Sequence, residues 1–261
     1  MKRIALTVGA DPEVFVRQGG KFVTAHGLVQ GTKEEPFVVD KGAVQVDGMA
    51  LEFNIDPAKN AREFSENIRV VMDILDGMVP DHELVTTPTA TFGEEYMSTM
   101  PKSALDLGCE PDFNAWKGGA VNPKPNAKVD FRTGAGHIHI GWTEGVDITH
   151  PEHLEACMTV VKQLDWTLGI LSCLYDGDTK RRELYGAWGA FRPKSYGVEY
   201  RVLSNAWLRS PKLVAWVYKM VDKAVQDLYN NKHHYLETEP QAKYAPYINK
   251  VLGYDLPPVG V

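Results

Sequence analysis

Residues 136–142 read GHIHIGW, and in this stretch histidines alternate with apolar side chains. Because successive side chains of a β-strand point to opposite faces, the two histidines lie on one face and the two isoleucines on the other. Three more segments alternate in the same way, with charged residues on the polar face. They are 9–16 with Asp11 and Glu13, 50–55 with Glu52, and 198–203 with Glu199 and Arg201. The pattern predicts four strands, each with one apolar face and one face that carries reactive groups.

The polar face of these strands differs from an ordinary solvated sheet face, which usually carries Thr, Lys, Ser or Gln. If the strands are neighbours, several carboxylates crowd one surface. At about 4 Å and an effective dielectric constant near 20, each like-charge contact costs roughly 4 kcal/mol, so cations are needed. Carboxylates with an imidazole suit Mg²⁺ or Mn²⁺ better than zinc. The sequence therefore predicts a metal site on this face, and a wet sheet face is the alternative. The candidate ligands are Asp11, Glu13, Glu52, His137, His139 and Glu199.

The two histidines share a face, so both are candidate ligands. The spacing alone leaves open whether both bind the metal or one of them instead contacts the substrate or supports another ligand.

A basic segment precedes the last of these strands. Residues 176–197 read DGDTKRRELYGAWGAFRPKSYG, in which cationic, aromatic and glycine residues are interleaved. Arg and Lys match phosphate oxygens, and glycine lets a backbone approach a ligand closely. Next to a metal site, the segment predicts binding of a nucleoside triphosphate, because Mg²⁺ is commonly shared with substrate phosphates. A solvated surface loop is the alternative. The sequence has neither a G-x-x-x-x-G-K-[ST] motif nor a G-x-G-x-x-G motif between a strand and a helix.

Apolar residues at helical spacing predict three long helices, one from Asp56-Pro57 to Gly77, one from Pro151 to about 175, and one from Pro211 to 228. A shorter helix is expected over 242–252. Further strands are expected over 4–16 and 21–24 as a hairpin, and over 37–47 and 83–92. Strands and helices follow no regular βαβ rhythm, so we predict an α+β fold with a mainly antiparallel sheet. No linker or repeat divides the chain, which predicts a single domain over 1–261.

Composition excludes several classes of protein. The chain has 261 residues, 44% hydrophobic, with a net charge of −6, which indicates a folded domain and argues against a nucleic-acid-coating surface. Its three cysteines are too few for a disulfide framework and suggest a reducing compartment. No apolar run is long enough for a membrane span. The apolar start of the sequence ends at Asp11-Pro12-Glu13, too soon for an export signal.

Short motifs occur in an order that resembles a known superfamily. They are G-x-[DE]-x-E at 9–13, L-E-F-x-x-x-P at 51–57, G-H-x-H-x-G at 136–141 and E-x-R at 199–201. They look like the carboxylate–amine ligases of the glutamate–cysteine ligase and glutamine synthetase superfamily. With GCEPDFNAW at 108–116 and RR-x-x-YG-x-x-G-x-FR at 181–192, the chain resembles the compact phage-type COOH–NH2 ligases, or amidoligases.

This resemblance implies a curved antiparallel sheet with helices on its convex side. The concave face would hold ATP and two or three Mg²⁺ ions, with Mn²⁺ as a substitute. The enzyme would convert a carboxylate to an acyl phosphate, which an amine then attacks to form an amide. The substrates would be a small-molecule or peptide carboxylate and amine, in the cytoplasm of a bacterial or phage-infected cell. The resemblance leaves the oligomeric state open.

The resemblance also assigns roles to individual residues. Asp11, Glu13, Glu52 and Glu199 would be metal ligands, joined by one of the two histidines. Arg201 would hold the transferring phosphate, with help from Arg182, Arg192 or Lys194. Asp47 and the segment 109–114 keep open roles, the latter as a substrate contact or a simple turn. From the same Asp/Glu/His surface, a metal-dependent hydrolase of a phosphoester or amide is the alternative function.

Overall fold

The computed structural model describes residues 2–105, 111–123, 130–233, 236–253 and 256–257. Eleven of the strands in these residues form one sheet, and two more form a separate pair. The strands are β1 (Thr7–Gln18), β2 (Lys21–Val23), β3 (Phe37–Val39), β4 (Gly42–Asp47), β5 (Ala50–Ile55), β6 (Glu83–Val85), β7 (Thr89–Thr91), β8 (Phe113–Asn114), β9 (Ala120–Val121), β10 (Phe131–Thr133), β11 (Gly136–Gly141), β12 (Ala190–Lys194) and β13 (Gly197–Tyr200). The α-helices are α1 (Ala61–Met78), α2 (Glu94–Ser98), α3 (Lys102–Leu105), α4 (Pro151–Leu164), α5 (Ile170–Ser172), α6 (Lys180–Leu184), α7 (Pro211–Tyr229) and α8 (Ala245–Leu252).

The main path of the sheet has the strand order β3–β4–β5–β1–β11–β13–β12–β8–β9, while β2 and β6 also pair with β1. All of these pairs are antiparallel. The strands β7 and β10 form the separate pair. The prediction of an α+β fold with a large antiparallel sheet is confirmed, while the division into one domain stays a prediction.

The four alternating segments all lie in the centre of this sheet, in the order β5, β1, β11 and β13. Two strand predictions are wrong in extent. The run 37–47 is two strands joined by a tight turn, where Lys41 has a φ of 67°. The run 83–92 divides into β6 and β7, which belong to different sheets. The basic segment 176–197 contains both α6 and β12.

The long helices begin at capping residues. α1 begins at Ala61 and not near Pro57, because the Asn60 side chain accepts a hydrogen bond from the Glu63 backbone N–H at 2.9 Å. The Glu63 carboxylate in turn accepts the N–H of Lys59, the residue before the cap, at 2.8 Å, so the two side chains together fix the start of the helix. α4 and α7 begin at their predicted prolines. After α4, a wider π-helical turn over Asp165–Gly169 leads into α5.

The helices α1, α4 and α7 cover the apolar face of the sheet. Val8, Ile138, Ile140 and Val198 are completely buried in this core. Cys157 is a free thiol here, and burial raises its pKa to about 12, which makes it a packing residue. In the described part of the chain, no helix has the combined length and apolar character needed to cross a bilayer.

A second, smaller apolar cluster lies beyond one end of the polar face. Phe15 follows Glu13 on the same face of β1 and packs edge-on against Phe22 and Phe92, with ring centroids 6.1 Å apart in each pair. The phenol of Tyr96 on α2 accepts the Thr24 backbone N–H at 3.0 Å. This cluster closes the end of the polar face, and the sequence analysis did not identify it.

Candidate functional site

The strand register brings the predicted ligands together from four strands. Asp11 of β1 lies opposite His137 of β11, and His139 lies opposite Glu199 of β13. On the other side of β1, Glu13 lies opposite Glu52 of β5. All six candidate ligands therefore meet on one face of the central strands, as the alternation predicted.

Asp11, His139 and Glu199 form the tightest group, since each offers one ligand atom within 4.8 Å of the others. Asp11 Oδ1 lies 3.2 Å from His139 Nε2 and 3.4 Å from His137 Nδ1. Burial would raise the pKa of Asp11, but the two histidines hold it well below its ordinary value. Asp11 is therefore an anion at neutral pH, available to a cation.

The two histidines differ in their surroundings. Burial and the positive charge of Arg201, whose Nη1 lies 3.3 Å from His137 Nδ1, lower the pKa of His137 to about 4. Burial also opposes protonation of His139, but the adjacent Asp11 outweighs it and raises the pKa of His139. Asp11 thus favours a positive charge beside it, which is the electrostatic environment that a metal ion needs.

Three cations surround Glu199. Lys194 Nζ lies 3.0 Å from Oε2, Arg192 Nη1 lies 3.6 Å from Oε1, and Arg201 contacts Oε1 directly. Burial and Asp11 would raise the pKa of Glu199, but Arg201 and the histidines hold it at about 2. With 1% of its side chain exposed, Glu199 is an interior anion and not a solvent-facing one. The cluster therefore combines side chains suited to binding a metal ion with cationic side chains suited to binding phosphate.

A second acidic group lies beside this cluster. Glu13 Oε2 accepts the Ala135 backbone N–H at 2.9 Å, and Gln45 donates to Glu52 Oε2 at 2.9 Å. Burial, with a smaller effect of Asp47, raises the pKa of Glu13 to about 7. Burial and the neighbouring carboxylates raise the pKa of Glu52 well above its ordinary value. These carboxyl groups ionise readily only when a cation is near. Asp47, whose role the sequence left open, interacts with both and forms an ion pair with Lys33 at 3.3 Å.

Arg182 lies apart from the cations around Glu199. Its Nη2 donates to Ser172 Oγ at 2.8 Å and lies 3.6 Å from Asp176, and its guanidinium packs on the Trp188 ring. A phosphate contact by Arg182 stays a prediction. Its neighbour Arg181 is 1% exposed and donates to the Val202 carbonyl at 2.8 Å, so it supports the chain after β13.

Arg182 does line a cleft of about 310 Å³ that also includes Asp112, Lys117 and Glu239. Asp112 Oδ2 lies 3.3 Å from Arg201 Nε, so one carboxylate joins the cleft to the cluster. Within the segment predicted to contact substrate, Cys109 and Glu110 lie outside the described residues. Asn114 caps a 3₁₀ turn by accepting the Trp116 N–H at 3.0 Å, which matches the turn alternative.

Sequence reasoning missed Asp165, which is completely buried at the π-helical turn. Its carboxylate accepts hydrogen bonds from Trp116 Nε1 at 2.6 Å, from the Gly189 N–H at 2.7 Å and from the Tyr200 hydroxyl at 2.7 Å. It thereby ties the chain before β12 and the last residue of β13 to the helical layer. An acid inside the otherwise apolar stretch LDWTLGILS was the available signal.

The residues present fit a divalent metal ion. Asp11 Oδ1 is buried, and within the part of the chain that the structure describes it accepts no hydrogen bond of good geometry. A buried carboxylate oxygen without such a donor costs free energy unless something else satisfies it. Two carboxylates and one imidazole, with ligand atoms within 4.8 Å of one another, are suitable ligands for Mg²⁺ or Mn²⁺.

No curated protein matches this chain. A family model described as phage phiEco32-like COOH.NH2 ligase-type 2 matches residues 116–251, slightly more than half of the sequence. The match includes His137, His139, Glu199 and Arg201, while the acids of β1 and β5 precede it. The chain therefore belongs to the phage phiEco32-like COOH–NH2 ligases of type 2, a family named for joining a carboxyl group to an amino group with a C–N bond.

Proposed function

We propose that this protein is an ATP- and Mg²⁺-dependent carboxylate–amine ligase that works through an acyl phosphate. One observation carries the proposal: the cluster of Asp11, His139 and Glu199 has three cationic side chains at its edge. A site for a metal–nucleotide complex needs both ligands for the metal ion and cationic side chains for the phosphates. The family membership supports the ligation of a carboxylate to an amine.

Asp11, His139 and Glu199 would hold one metal ion, and Glu13 with Glu52 would contribute to a second. We infer two or three Mg²⁺ ions in total, as in the resembling superfamily. When bound, the ions would neutralise the charge of the nucleotide phosphates. The polar residues lie on one sheet face and helices cover the other, which supports a relation to the glutamine synthetase and glutamate–cysteine ligase catalytic domains.

Binding of a cation by Glu199 would release the cationic side chains that now neutralise it. Lys194, Arg192 and Arg201 would then be available to the phosphate oxygens, at a place where they already lie within 3.6 Å of one carboxylate. Arg201, held by Asp112 at its Nε, keeps its orientation and presents the rest of its guanidinium to the transferring phosphate. Fixed cations of this kind stabilise charge that develops in the transition state.

The chemistry follows in two steps. A carboxylate oxygen of the first substrate attacks the γ-phosphorus of ATP, the bond to the bridging oxygen breaks, and ADP leaves. The amine nitrogen of the second substrate attacks the carbonyl carbon of the acyl phosphate, phosphate leaves, and the nitrogen loses a proton to water. We place the amine substrate in the cleft beside Asp112, because that carboxylate links the cleft to Arg201.

The proposal is tested by incubating the protein with ATP, Mg²⁺, pooled amino acids and peptides, and cell extract. Mass spectrometry should detect a new amide that forms together with an equal amount of ADP. Asp11→Asn, which removes one negative charge from the cluster, should abolish both products and Mg²⁺-dependent ATP binding in calorimetry. Asp73→Asn on the exposed side of α1 is the matched control and should change neither.

Omission of ATP separates the ligase from the alternative hydrolase. A hydrolase would consume its substrate with Mg²⁺ alone, whereas the ligase would be inactive. Turnover without nucleotide, or wild-type protein that does not bind ATP with Mg²⁺, would refute the proposal.

A further inference from the structure

We infer that Tyr196 is a positioning residue that holds His139 in the tautomer needed for binding a metal ion. The inference rests on the proposed function, since it concerns the metal site of that ligase. It also distinguishes the two histidines, which the alternating pattern leaves equivalent.

The backbone fixes the place of Tyr196. Ser195 and Tyr196 form the two-residue turn between β12 and β13, since Lys194 pairs with Gly197. The Tyr196 carbonyl accepts the Trp142 N–H at 2.9 Å and the Thr143 N–H at 3.2 Å, which ties the turn to the end of β11. Gly197 has a φ of 149°, and a Cβ there would lie 2.1 Å from the Ile140 carbonyl oxygen. The turn therefore lies close against β11, where only glycine fits.

The side chain of Tyr196 meets His139 on the side away from the cluster. The phenol oxygen lies 2.5 Å from Nδ1, while Nε2 of the same ring lies 3.2 Å from Asp11 Oδ1. The imidazole thus bridges the tyrosine hydroxyl and the metal-type ligands. Imidazole binds a metal through an unprotonated nitrogen, so Nε2 must offer its lone pair and Nδ1 must carry the hydrogen.

The phenol oxygen of Tyr196 is the acceptor that Nδ1–H needs in this arrangement. A partner of this kind fixes the ring orientation and makes the opposite nitrogen a better ligand. His137 has different surroundings, because its Nδ1 lies among Asp11, Glu199 and Arg201. Among the described residues, the group of three ligand atoms within 4.8 Å of one another contains His139 and not His137. His139 is therefore the ligand, and His137 supports Asp11 and Glu199.

The test is Mn²⁺ binding to the nucleotide-free protein, measured by electron paramagnetic resonance. Tyr196→Phe removes the oxygen and keeps the ring, and we expect about 10- to 100-fold weaker Mn²⁺ binding, the usual effect of losing such a partner. Tyr247→Phe, at a residue that is 64% exposed on α8, is the control and should bind Mn²⁺ as the wild type does.

A double-mutant cycle distinguishes positioning from a general structural effect. In a His139→Ala background, Tyr196→Phe should cause no further loss of Mn²⁺ affinity, because the hydroxyl acts through that ring. His139→Gln replaces the alanine variant if the latter does not fold. An unchanged affinity of Tyr196→Phe, or an equal loss in both backgrounds, overturns the inference while wild-type binding still supports the metal site. Wild-type protein that binds no Mn²⁺ overturns both the inference and the proposed metal site.

Discussion

The carboxylates of the polar face should destabilise the metal-free protein. Glu13→Gln measures how much one of them lowers the free energy of unfolding. Burial and Asp47 raise the pKa of Glu13 from an ordinary 4.5 to about 7. Below pH 4.5 the carboxyl group is protonated in both the folded and the unfolded chain, so it costs nothing. Between pH 4.5 and about 7 the unfolded chain has released the proton that the folded chain retains, so stability falls as the pH rises, and it levels off above pH 7.

The size of the effect follows from the difference in pKa. At 1.36 kcal/mol for each pKa unit, a pKa difference of about 2.5 lowers the free energy of unfolding by about 3 kcal/mol above pH 8. At pH 5 it lowers it by less than about 1 kcal/mol. Partial exposure of the Glu13 side chain reduces this energetic cost, so we expect Glu13→Gln to raise the free energy of unfolding by about 2 kcal/mol at pH 8. The glutamine oxygen can still accept the Ala135 N–H, which keeps the packing comparable.

The assay is urea unfolding in EDTA at pH 5 and pH 8, with Glu66→Gln on the exposed side of α1 as control. The variant should be more stable than the wild type at pH 8 and almost equal at pH 5. Saturating Mg²⁺ should reverse the order at pH 8, because the variant lacks a charged ligand. A Glu13→Gln protein that is no more stable than the wild type in EDTA at pH 8 would refute the reasoning.

Three further substitutions, one of them with a matched glycine control, test other parts of the structure. Asp165→Asn places an amide among three hydrogen-bond donors and should lower the free energy of unfolding by about 3 kcal/mol, measured in urea at constant m-value. Gly136→Ala should lower the free energy of unfolding by about 3 kcal/mol or more in the same assay, because its Cβ would lie 2.3 Å from the Ser204 carbonyl oxygen. As the control, Gly77→Ala places a Cβ with nothing within 4 Å and should raise the free energy of unfolding by about 0.5 kcal/mol. Arg201→Lys keeps the charge but loses the planar fork, and should lower kcat of the proposed ligase reaction at least about tenfold with little change in folding.

Much of the site was predictable because alternation along a strand is a local property. The period of two placed Asp11 and Glu13 on one face whatever strands lay beside them. The same holds for Glu199 and Arg201, and for the starts of α4 and α7, which prolines mark directly in the sequence.

Other features depend on contacts between distant parts of the chain. A three-residue strand such as β6 or β7 has too few side chains to show its pairing partner, so the split of 83–92 was not visible in the sequence. The basic segment contains five cations, of which the resemblance assigned phosphate binding to Arg182, Arg192 or Lys194. Only Arg192 and Lys194 lie on β12 beside Glu199. Arg182 lies on α6, where the short helix directs it to a different cleft.

The sequence by itself determined the chemistry of this protein: carboxylates, imidazoles and guanidinium groups on one face of four strands, backed by an apolar face. Only the tertiary structure decided that β1 lies between β5 and β11, which brings Asp11 to His139 and Glu199 and leaves Glu13 with Glu52. It also decided that Tyr196 lies behind one histidine and Arg201 beside the other. The physical reason is that side-chain direction is set by each strand alone, whereas strand order and register depend on the burial of the whole sheet against its helices.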